Sequence, residues 1–154
     1  YKNLAGTITY HHMDLTTEDV FGCCHNFCKP IAKSLADKQT LIQTAISGDS
    51  RFFFGSDSAP HPRKSKEAPN AKAGCFTSPI LLPALAQLFD EQGALEKLEA
   101  FTSEFGARFY GLPLNQEKIV LVNQPFWNNF DFFDDENQCY VPYAAGRNFE
   151  WRVV

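Results

Sequence analysis

Residues 51–61 read RFFFGSDSAPH, an apolar strand followed at once by a polar loop that contains proline. Three consecutive phenylalanines, Phe52, Phe53 and Phe54, are typical of a strand that is covered on both faces, as in a parallel sheet. In an α/β barrel, the residues just beyond the carboxyl end of such a strand line the active site. These eleven residues therefore predict an α/β fold with a candidate site at Asp57 and His61.

Asp57 and His61 carry side chains that suit a catalytic site. A carboxylate at a strand end can bind a metal or transfer a proton, and a histidine can bind an anionic substrate. The plainer alternative is an Asx turn that ends the strand, with Asp57 bonded to its own backbone and His61 merely exposed. Spacing alone favours this alternative, because short motifs often occur without a function.

The residues that precede this stretch predict a parallel sheet. Residues 6–10 alternate β-branched side chains and residues 26–28 precede Pro30, so we expect a strand in each. Between residues 33 and 47 the apolar side chains fall on one helical face, and Gly48 is placed to end the helix. That helix leads into the strand at residues 51–56, which completes a β-α-β crossover with parallel strands.

Beyond the strand, residues 58–77 form a polar connection of twenty residues, a length that usually indicates function or disorder. We expect a first helix to begin at Ser78 or Pro83 and to end at Gly93. A second helix is expected from Leu95, with Gly106 as its end. Short strands and irregular structure follow, and both helices are expected to cover the sheet.

The length of the chain fits part of a barrel. Of its 154 residues 44% are hydrophobic and 14% aromatic, which is enough to form a core. A complete (β/α)8 barrel needs about 250 residues. The chain also begins at Tyr1 without an initiator methionine. We therefore expect residues 1–154 to be the C-terminal portion of a single barrel domain, with the N-terminal strands absent.

The net charge of −4 and the lack of a basic run do not indicate nucleic acid or an acidic membrane as a partner. The longest apolar stretch, residues 80–88, is interrupted by Pro83 and is much shorter than the ~20 residues that a membrane span requires.

The five cysteines are Cys23, Cys24, Cys28, Cys75 and Cys139, an odd number whose spacing favours free thiols in a reducing compartment. Together with His25, the first three could form a small zinc site. A closed zinc site normally takes its ligands from two separated pairs, and the second pair is missing here. The spacing therefore gives little support for a zinc site.

Several stretches carry a more specific signal. They are FFGSDSAPHPRKSKE at residues 53–67 with AGCF at 73–76, AGTITYHH at 5–12, NFCKPIAK at 26–33, FDEQGAL at 89–95, FYGLP at 109–113 and AGRNFEWRV at 145–153. In kind and order they resemble the dihydroorotases, in particular the monofunctional class II type of bacteria and fungi. Residues 53–67 and 73–76 resemble the last barrel strand and the loop that follows it. Residues 5–12 resemble the sixth strand, and residues 26–33 resemble the seventh, in the fungal form more than in the bacterial one. Residues 123–138 match least.

This resemblance implies a fold and an activity. The fold would be the C-terminal part of an amidohydrolase-type (β/α)8 barrel, about its last three strands, followed by helices and short strands. The activity would be the reversible cyclisation of N-carbamoyl-L-aspartate to L-dihydroorotate in pyrimidine biosynthesis, at a site with two zinc ions. The resemblance also implies a cytoplasmic enzyme that forms a homodimer when intact.

By the same resemblance, Asp57 would bind the more buried metal and carry the proton to the departing nitrogen. His61 would hydrogen-bond the substrate carboxylate, and the backbone of Ala73 would contact the same end of the substrate. Lys29 falls where the family holds the pyrimidine ring through main-chain groups, so its side chain need not matter.

His11 and His12 are not expected to bind metal, because the family's metal histidines come from earlier strands. Neighbouring residues of a strand would also point to opposite faces. The other metal ligands of the family, and the arginine and asparagine that clamp the substrate, are not found in this chain. We therefore expect the chain to be inactive by itself, since a hydrolytic metal site needs several ligands.

Two other functions remain as alternatives. The chain could be a catalytically silent amidohydrolase-like scaffold, although a scaffold has no need of Asp57 and His61. It could also belong to a sibling cyclic amidase such as a hydantoinase or an allantoinase, which share an aspartate at a strand end. His61 together with Ala73 fits a small acidic substrate better.

Overall fold

The computed structural model describes residues 3–128 and 131–154. Its strands are β1 (Gly6–Ile8), β2 (Phe52–Phe54), β3 (Leu121–Asn128), β4 (Phe132–Phe133), β5 (Cys139–Tyr140) and β6 (Arg147–Val153). Its α-helices are α1 (Tyr10–Asp14), α2 (Thr17–Gly22), α3 (Leu35–Ala45), α4 (Arg63–Lys66), α5 (Leu81–Glu91) and α6 (Phe105–Tyr110). Short 3-10 helices lie at Cys24–Asn26, Ser78–Ile80 and Leu95–Lys97, and a π-helical segment at Ala100–Glu104.

Strands β1 and β2 pair directly and run parallel, with Gly6 opposite Phe52 and Ile8 opposite Phe54. Gly55 extends the pairing, because its N–H donates to the Ile8 carbonyl at 3.1 Å. A Cβ atom on Gly55 would lie 2.8 Å from the Cβ of Thr7, so only glycine lets the two chains approach this closely. The predicted parallel sheet is thus confirmed.

Helix α3 forms the crossover between these strands. Ser34 caps its first turn: the hydroxyl accepts from the Asp37 N–H at 3.2 Å, and the Asp37 carboxylate accepts from the Ser34 N–H at 3.1 Å. This reciprocal capping box satisfies two N–H groups that a helix start leaves unpaired. The helix ends at Ala45, shortly before Gly48, as the sequence predicted.

Residues 26–28 do not form the expected strand. Because β1 and β2 are direct neighbours, no place is left between them for a third strand. If β2 is the last strand of a barrel, β1 takes the seventh position rather than the sixth. The carbonyl of Phe27 instead accepts from the Gly74 N–H at 2.8 Å, so this backbone pairs with a loop and not with a sheet. The described residues contain two strands of the expected parallel sheet rather than three.

The first strand is also shorter than expected. It ends at Ile8, and Tyr10 begins α1, where the Thr9 hydroxyl accepts from the His12 N–H. The second predicted helix is longer than expected: α6 runs through Gly106 and ends at Gly111, which has a left-handed φ of 68°. Gly106 serves a packing purpose, because a Cβ there would lie 3.2 Å from the Phe53 ring.

Helix α5 lies at the centre of the core, next to β6. Phe149 of β6 is fully buried and stacks on Phe126 of β3 with ring centroids 5.7 Å apart. The Trp151 indole N–H donates to the Asp90 carboxylate of α5 at 3.2 Å. The buried residues of α5 are Pro83, Ala84, Leu85, Ala86, Leu88 and Phe89. This packing explains why the C-terminal strands stay attached to the α/β part.

Candidate active site

Asp57 lies three residues beyond β2, at the carboxyl end of the parallel strand pair. Its φ of 42° places it in the left-handed region, which is uncommon for a residue other than glycine. The side chain is exposed, and no group in residues 3–128 or 131–154 donates a hydrogen bond to its carboxylate. The Asx-turn alternative therefore lacks its defining hydrogen bond, and the carboxylate remains available to a ligand.

The loop after Asp57 pairs with residues 73–77. Ser58 forms an isolated parallel bridge with Cys75, and the Ala59 N–H donates to the Cys75 carbonyl at 2.9 Å. The Ser58 hydroxyl accepts from two further N–H groups, those of Thr77 and Ser78. The polar connection is therefore an ordered part of the fold and not a disordered linker.

His61 joins the same two segments. Its Nε2 lies 3.0 Å from the carbonyl oxygen of Ala73. Because a carbonyl can only accept, Nε2 carries the proton in this bond and Nδ1 is left for another partner. The structure thus brings together two residues that the sequence selected, His61 and Ala73.

Gly74 makes this pairing possible. It has a φ of 147°, and a Cβ there would lie 2.8 Å from the Ala59 carbonyl oxygen and 3.1 Å from the His61 ring. Side chains rarely adopt this backbone conformation, and the space for one is already filled. The close approach of the two loops therefore depends on glycine at this position.

Lys29 lies on a third segment of the same region. Its side chain is exposed, and the segment is fixed two residues earlier, where the Phe27 carbonyl accepts from the Gly74 N–H. The site is thus built from three segments, around Lys29, around residues 57–61 and around residues 73–77.

Lys66 is a buried residue of this region that the sequence analysis did not identify. Its ammonium donates to the carbonyls of Phe27, Lys72 and Gly74 at 3.0, 3.0 and 2.7 Å. A lysine within a polar stretch is usually solvent-exposed. The stretch therefore carried no sign that this side chain is buried.

His11, His12 and Cys28 form a second cluster, in which one ligand atom from each lies within 4.8 Å of the others. The two histidines lie on α1 and not on a strand. Their ring centroids are 4.5 Å apart, so the prediction that the side chains point to opposite faces was wrong. Both ring nitrogens of His12 are already paired, with the Thr9 hydroxyl at 2.6 Å and the Pro30 carbonyl at 2.7 Å. A metal here would have to displace one of these partners.

All three groups of this cluster have shifted protonation equilibria. A hydrogen bond with Cys28 raises the pKa of His12. Burial lowers the pKa of His11 to about 4, so its ring is neutral at pH 7. A hydrogen bond with the thiol of Cys75 lowers the pKa of Cys28, and raises the pKa of Cys75. No partner within the described residues reaches either ring nitrogen of His11.

The zinc site that Cys23, Cys24, His25 and Cys28 could have formed is not assembled. Cys28 is grouped with His11 and His12, whereas the other three residues join no cluster of metal-binding side chains in the described part of the chain. His25 pairs with the Glu67 carboxylate at 3.1 Å. All five cysteines are free, as expected.

Among the residues that the structure describes, no helix is both long and apolar enough to cross a membrane.

No family model matches the chain. Curated relatives do: it is 40% identical over 155 residues to a dihydroorotase of Coxiella burnetii, and 42% identical over 158 residues to one of Acinetobacter baylyi. Each alignment covers 99% of this chain, but only 44% and 45% of the relative. The chain therefore spans less than half the length of the curated relatives that it matches.

Solved structures give the same result. A Saccharomyces cerevisiae dihydroorotase in complex with 5-fluoroorotic acid matches 97% of this chain and 43% of its own, with 39% identity and a TM-score of 0.92. A Campylobacter jejuni dihydroorotase matches with 39% identity and a TM-score of 0.88, over all of this chain and 46% of its own. An L-hydantoinase of Arthrobacter aurescens has a TM-score of 0.73 at 19% identity, over 97% of this chain and 37% of its own, which indicates a shared fold alone. In sequence and in fold, the chain is thus a homologue of the C-terminal part of the dihydroorotases.

Proposed function

We propose that this chain forms the C-terminal portion of the single barrel domain of a zinc-dependent dihydroorotase. The intact enzyme would interconvert N-carbamoyl-L-aspartate and L-dihydroorotate in pyrimidine biosynthesis. The observation that carries this proposal is the joint placement of Asp57, His61 and Ala73 at one end of the parallel strands, in a chain about 40% identical to dihydroorotases throughout.

The residues present suit one part of a metal site. The exposed, unpaired carboxylate of Asp57 is a suitable oxygen ligand for a divalent cation. The left-handed backbone conformation of Asp57 differs from the extended conformation of the strand before it. One carboxylate cannot hold two zinc ions, so the remaining ligands must come from elsewhere in the enzyme. When bound, such ions lower the pKa of a bound water and polarise a carbonyl.

Asp57 would also move a proton. An ionised carboxylate beside the reacting centre can accept a proton as water adds to the ring amide, and can then donate it to the departing nitrogen. No group of the described residues donates a hydrogen bond to the Asp57 carboxylate, so the side chain is available for this task.

The other predicted residues would bind the substrate. In its charged form, the imidazole of His61 would donate Nε2–H to the Ala73 carbonyl and Nδ1–H to a substrate carboxylate. The N–H of Ala73 donates to no group in residues 3–128 and 131–154, and can serve the same carboxylate. Lys29 would contribute its main chain to the pyrimidine ring.

Two further properties belong to this proposal. Five free thiols fit the reducing environment of the cytoplasm, where we place the enzyme. The homodimer rests on the resemblance to the family alone, and sedimentation of the intact enzyme tests it.

The alternatives have less support. The hydantoinase shares the fold at half the sequence identity of the dihydroorotases. A silent scaffold does not account for a loop network that positions His61 against Ala73 beside an unpaired carboxylate.

A substrate comparison with the intact enzyme tests the proposal. The full-length protein, loaded with zinc, is assayed in parallel with L-dihydroorotate, hydantoin and allantoin. We expect turnover of L-dihydroorotate only. Preferential turnover of hydantoin or allantoin would assign the enzyme to a sibling family. Absence of turnover of all three compounds by the fully metal-loaded protein would support the catalytically silent scaffold instead.

A further inference from the structure

Lys66 ends the short helix α4 and is 3% exposed, although lysine is one of the residues least often buried. Its ammonium donates hydrogen bonds to three backbone carbonyls, one from each of its three N–H groups. Burial lowers the pKa of Lys66, whereas the three acceptors favour the charged form. The group is therefore a fully satisfied buried cation.

The three acceptors all belong to the candidate site. Lys72 and Gly74 lie on either side of Ala73, so Lys66 binds both carbonyls that flank this residue. The third acceptor, the Phe27 carbonyl, also accepts from the Gly74 N–H and lies two residues before Lys29. One ammonium thus joins the segment of Ala73 to the segment of Lys29.

The geometry of the peptide bond gives this contact a direction. In a planar trans peptide the C=O of one residue and the N–H of the next point in opposite directions. Because the Lys72 carbonyl points toward Lys66, the Ala73 N–H points away from it. A hydrogen bond to the carbonyl also polarises the peptide, which makes the N–H a stronger donor.

We propose that Lys66 is a positioning residue that fixes the Ala73 N–H, and through Phe27 the segment of Lys29, for binding of an anionic substrate. This inference rests on the proposed function. The same contacts also satisfy three backbone carbonyls that an apolar side chain would leave without this donor, so substrate affinity rather than stability alone must be measured to test the positioning role.

The test uses the full-length, metal-loaded enzyme with Lys66→Met, which keeps much of the side-chain volume and removes all three donors. We expect KM for L-dihydroorotate and the Kd for orotate to rise by about tenfold to hundredfold, the scale of an ångström-sized misplacement. The kcat and the metal content should change much less, because the lost contact serves ground state and transition state alike.

Lys64→Met is the matched control, since Lys64 lies on the same helix and is exposed. It should leave KM, orotate affinity and stability unchanged. A purely structural role for Lys66 predicts a different result: Lys66→Met would lower the melting temperature and the active fraction while KM and orotate affinity stay at wild-type values. That result would overturn the inference.

If the methionine variant does not fold, Lys66→Arg tests the positioning role of Lys66 in its place. Arginine keeps the charge, but its planar guanidinium cannot direct three donors from one nitrogen toward three carbonyls. A raised KM with normal metal content supports positioning, and an unchanged KM refutes it. Wild-type turnover separates the positioning role of Lys66 from the proposed dihydroorotase function. If the wild-type enzyme is active and the Lys66 variants bind substrate normally, only the role of Lys66 is refuted. If the metal-loaded wild-type enzyme is inactive, the proposed function itself is refuted.

Discussion

Asp57 and His61 are four residues apart in sequence, yet the structure gives them different surroundings. Asp57 is exposed and accepts no hydrogen bond within the described residues, whereas His61 is half-buried and bonded to Ala73. An unpaired carboxylate suits metal binding and proton transfer, and a fixed imidazole suits substrate binding. Substitutions at the two positions should therefore change different measured quantities.

Asp57→Asn in the intact enzyme should lower kcat by about 10²–10⁴-fold, the usual contribution of general acid–base catalysis. Asparagine tolerates the left-handed backbone found here, so the fold should persist. Steady-state kinetics and circular dichroism on the same sample check both statements. Retention of more than about a tenth of wild-type activity would remove Asp57 from the catalytic role.

His61→Ala should weaken binding of L-dihydroorotate by about 1.5–3 kcal/mol, the scale of a hydrogen bond to a charged group. The zinc content, measured by atomic absorption, should stay at the wild-type level because His61 is not expected to be a ligand. His25→Ala, which removes an imidazole bonded to Glu67, is the control and should leave both quantities unchanged. Loss of zinc in parallel with substrate affinity would instead make His61 a metal ligand.

At the scale of single residues, the sequence identified those site residues whose position next to a predicted strand marks them. Asp57 and His61 follow an apolar strand directly, which is visible in the letters alone. The burial of Lys66 depends on Phe27, 39 residues earlier, and on a loop that folds back over it. Such contacts have no local signature, so Lys66 could not be selected from the sequence.

Between the elements, the pairing of residues 57–61 with residues 73–77 determines the shape of the site. It consists of one bridge, two hydrogen bonds to the Ser58 hydroxyl and the bond from His61. A loop held at so many points is expected to keep its shape without substrate, which reduces the entropy lost on binding.

Gly74→Ala should disturb this pairing. The new Cβ would meet the Ala59 carbonyl oxygen at 2.8 Å in a backbone conformation that alanine avoids, at a cost of about 1–3 kcal/mol. Urea unfolding of the intact enzyme should show the loss of stability, and KM should rise because His61 is displaced. Gly22→Ala, where no atom lies within 4 Å of the added Cβ, is the control. Equal stability of the two variants would contradict the assigned role of Gly74.

Some elements could be predicted from the sequence and others could not. Helix α3 was predicted correctly because its capping residues, its apolar face and the following Gly48 are all local signals. The strand at residues 26–28 was predicted wrongly, because whether a short segment joins a sheet depends on a free strand edge, and β1 already pairs with β2. Gly106 was predicted to end a helix, but it instead allows close packing against Phe53, which lies 53 residues earlier in the chain.

For the whole molecule, the described residues contain two parallel strands and one candidate metal carboxylate at their carboxyl end. Several large apolar side chains are exposed, among them Phe21 at 87% and Leu4 at 65%. Exposed apolar groups beside an incomplete sheet favour association with other chains. The two parallel strands and their exposed surroundings therefore fit a part of a larger barrel.

Residues 1–154 expressed alone should show no hydrolysis of L-dihydroorotate and less than stoichiometric zinc, because one carboxylate is an incomplete ligand set. They should also aggregate, which light scattering measures. Co-expression with the N-terminal portion of the enzyme should restore zinc content and turnover. A soluble, active, zinc-loaded 154-residue protein would contradict the proposal and would direct attention to His11, His12 and Cys28 as ligands.

The sheet formed by β3 and β6 carries both tryptophans of the chain, Trp127 and Trp151. Trp127 is 51% exposed, whereas Trp151 is half-buried and bonded to Asp90 of α5. Indole emission from this part of the enzyme therefore reports the docking of that sheet on α5. A spectroscopist can thus watch the C-terminal sheet detach from the core.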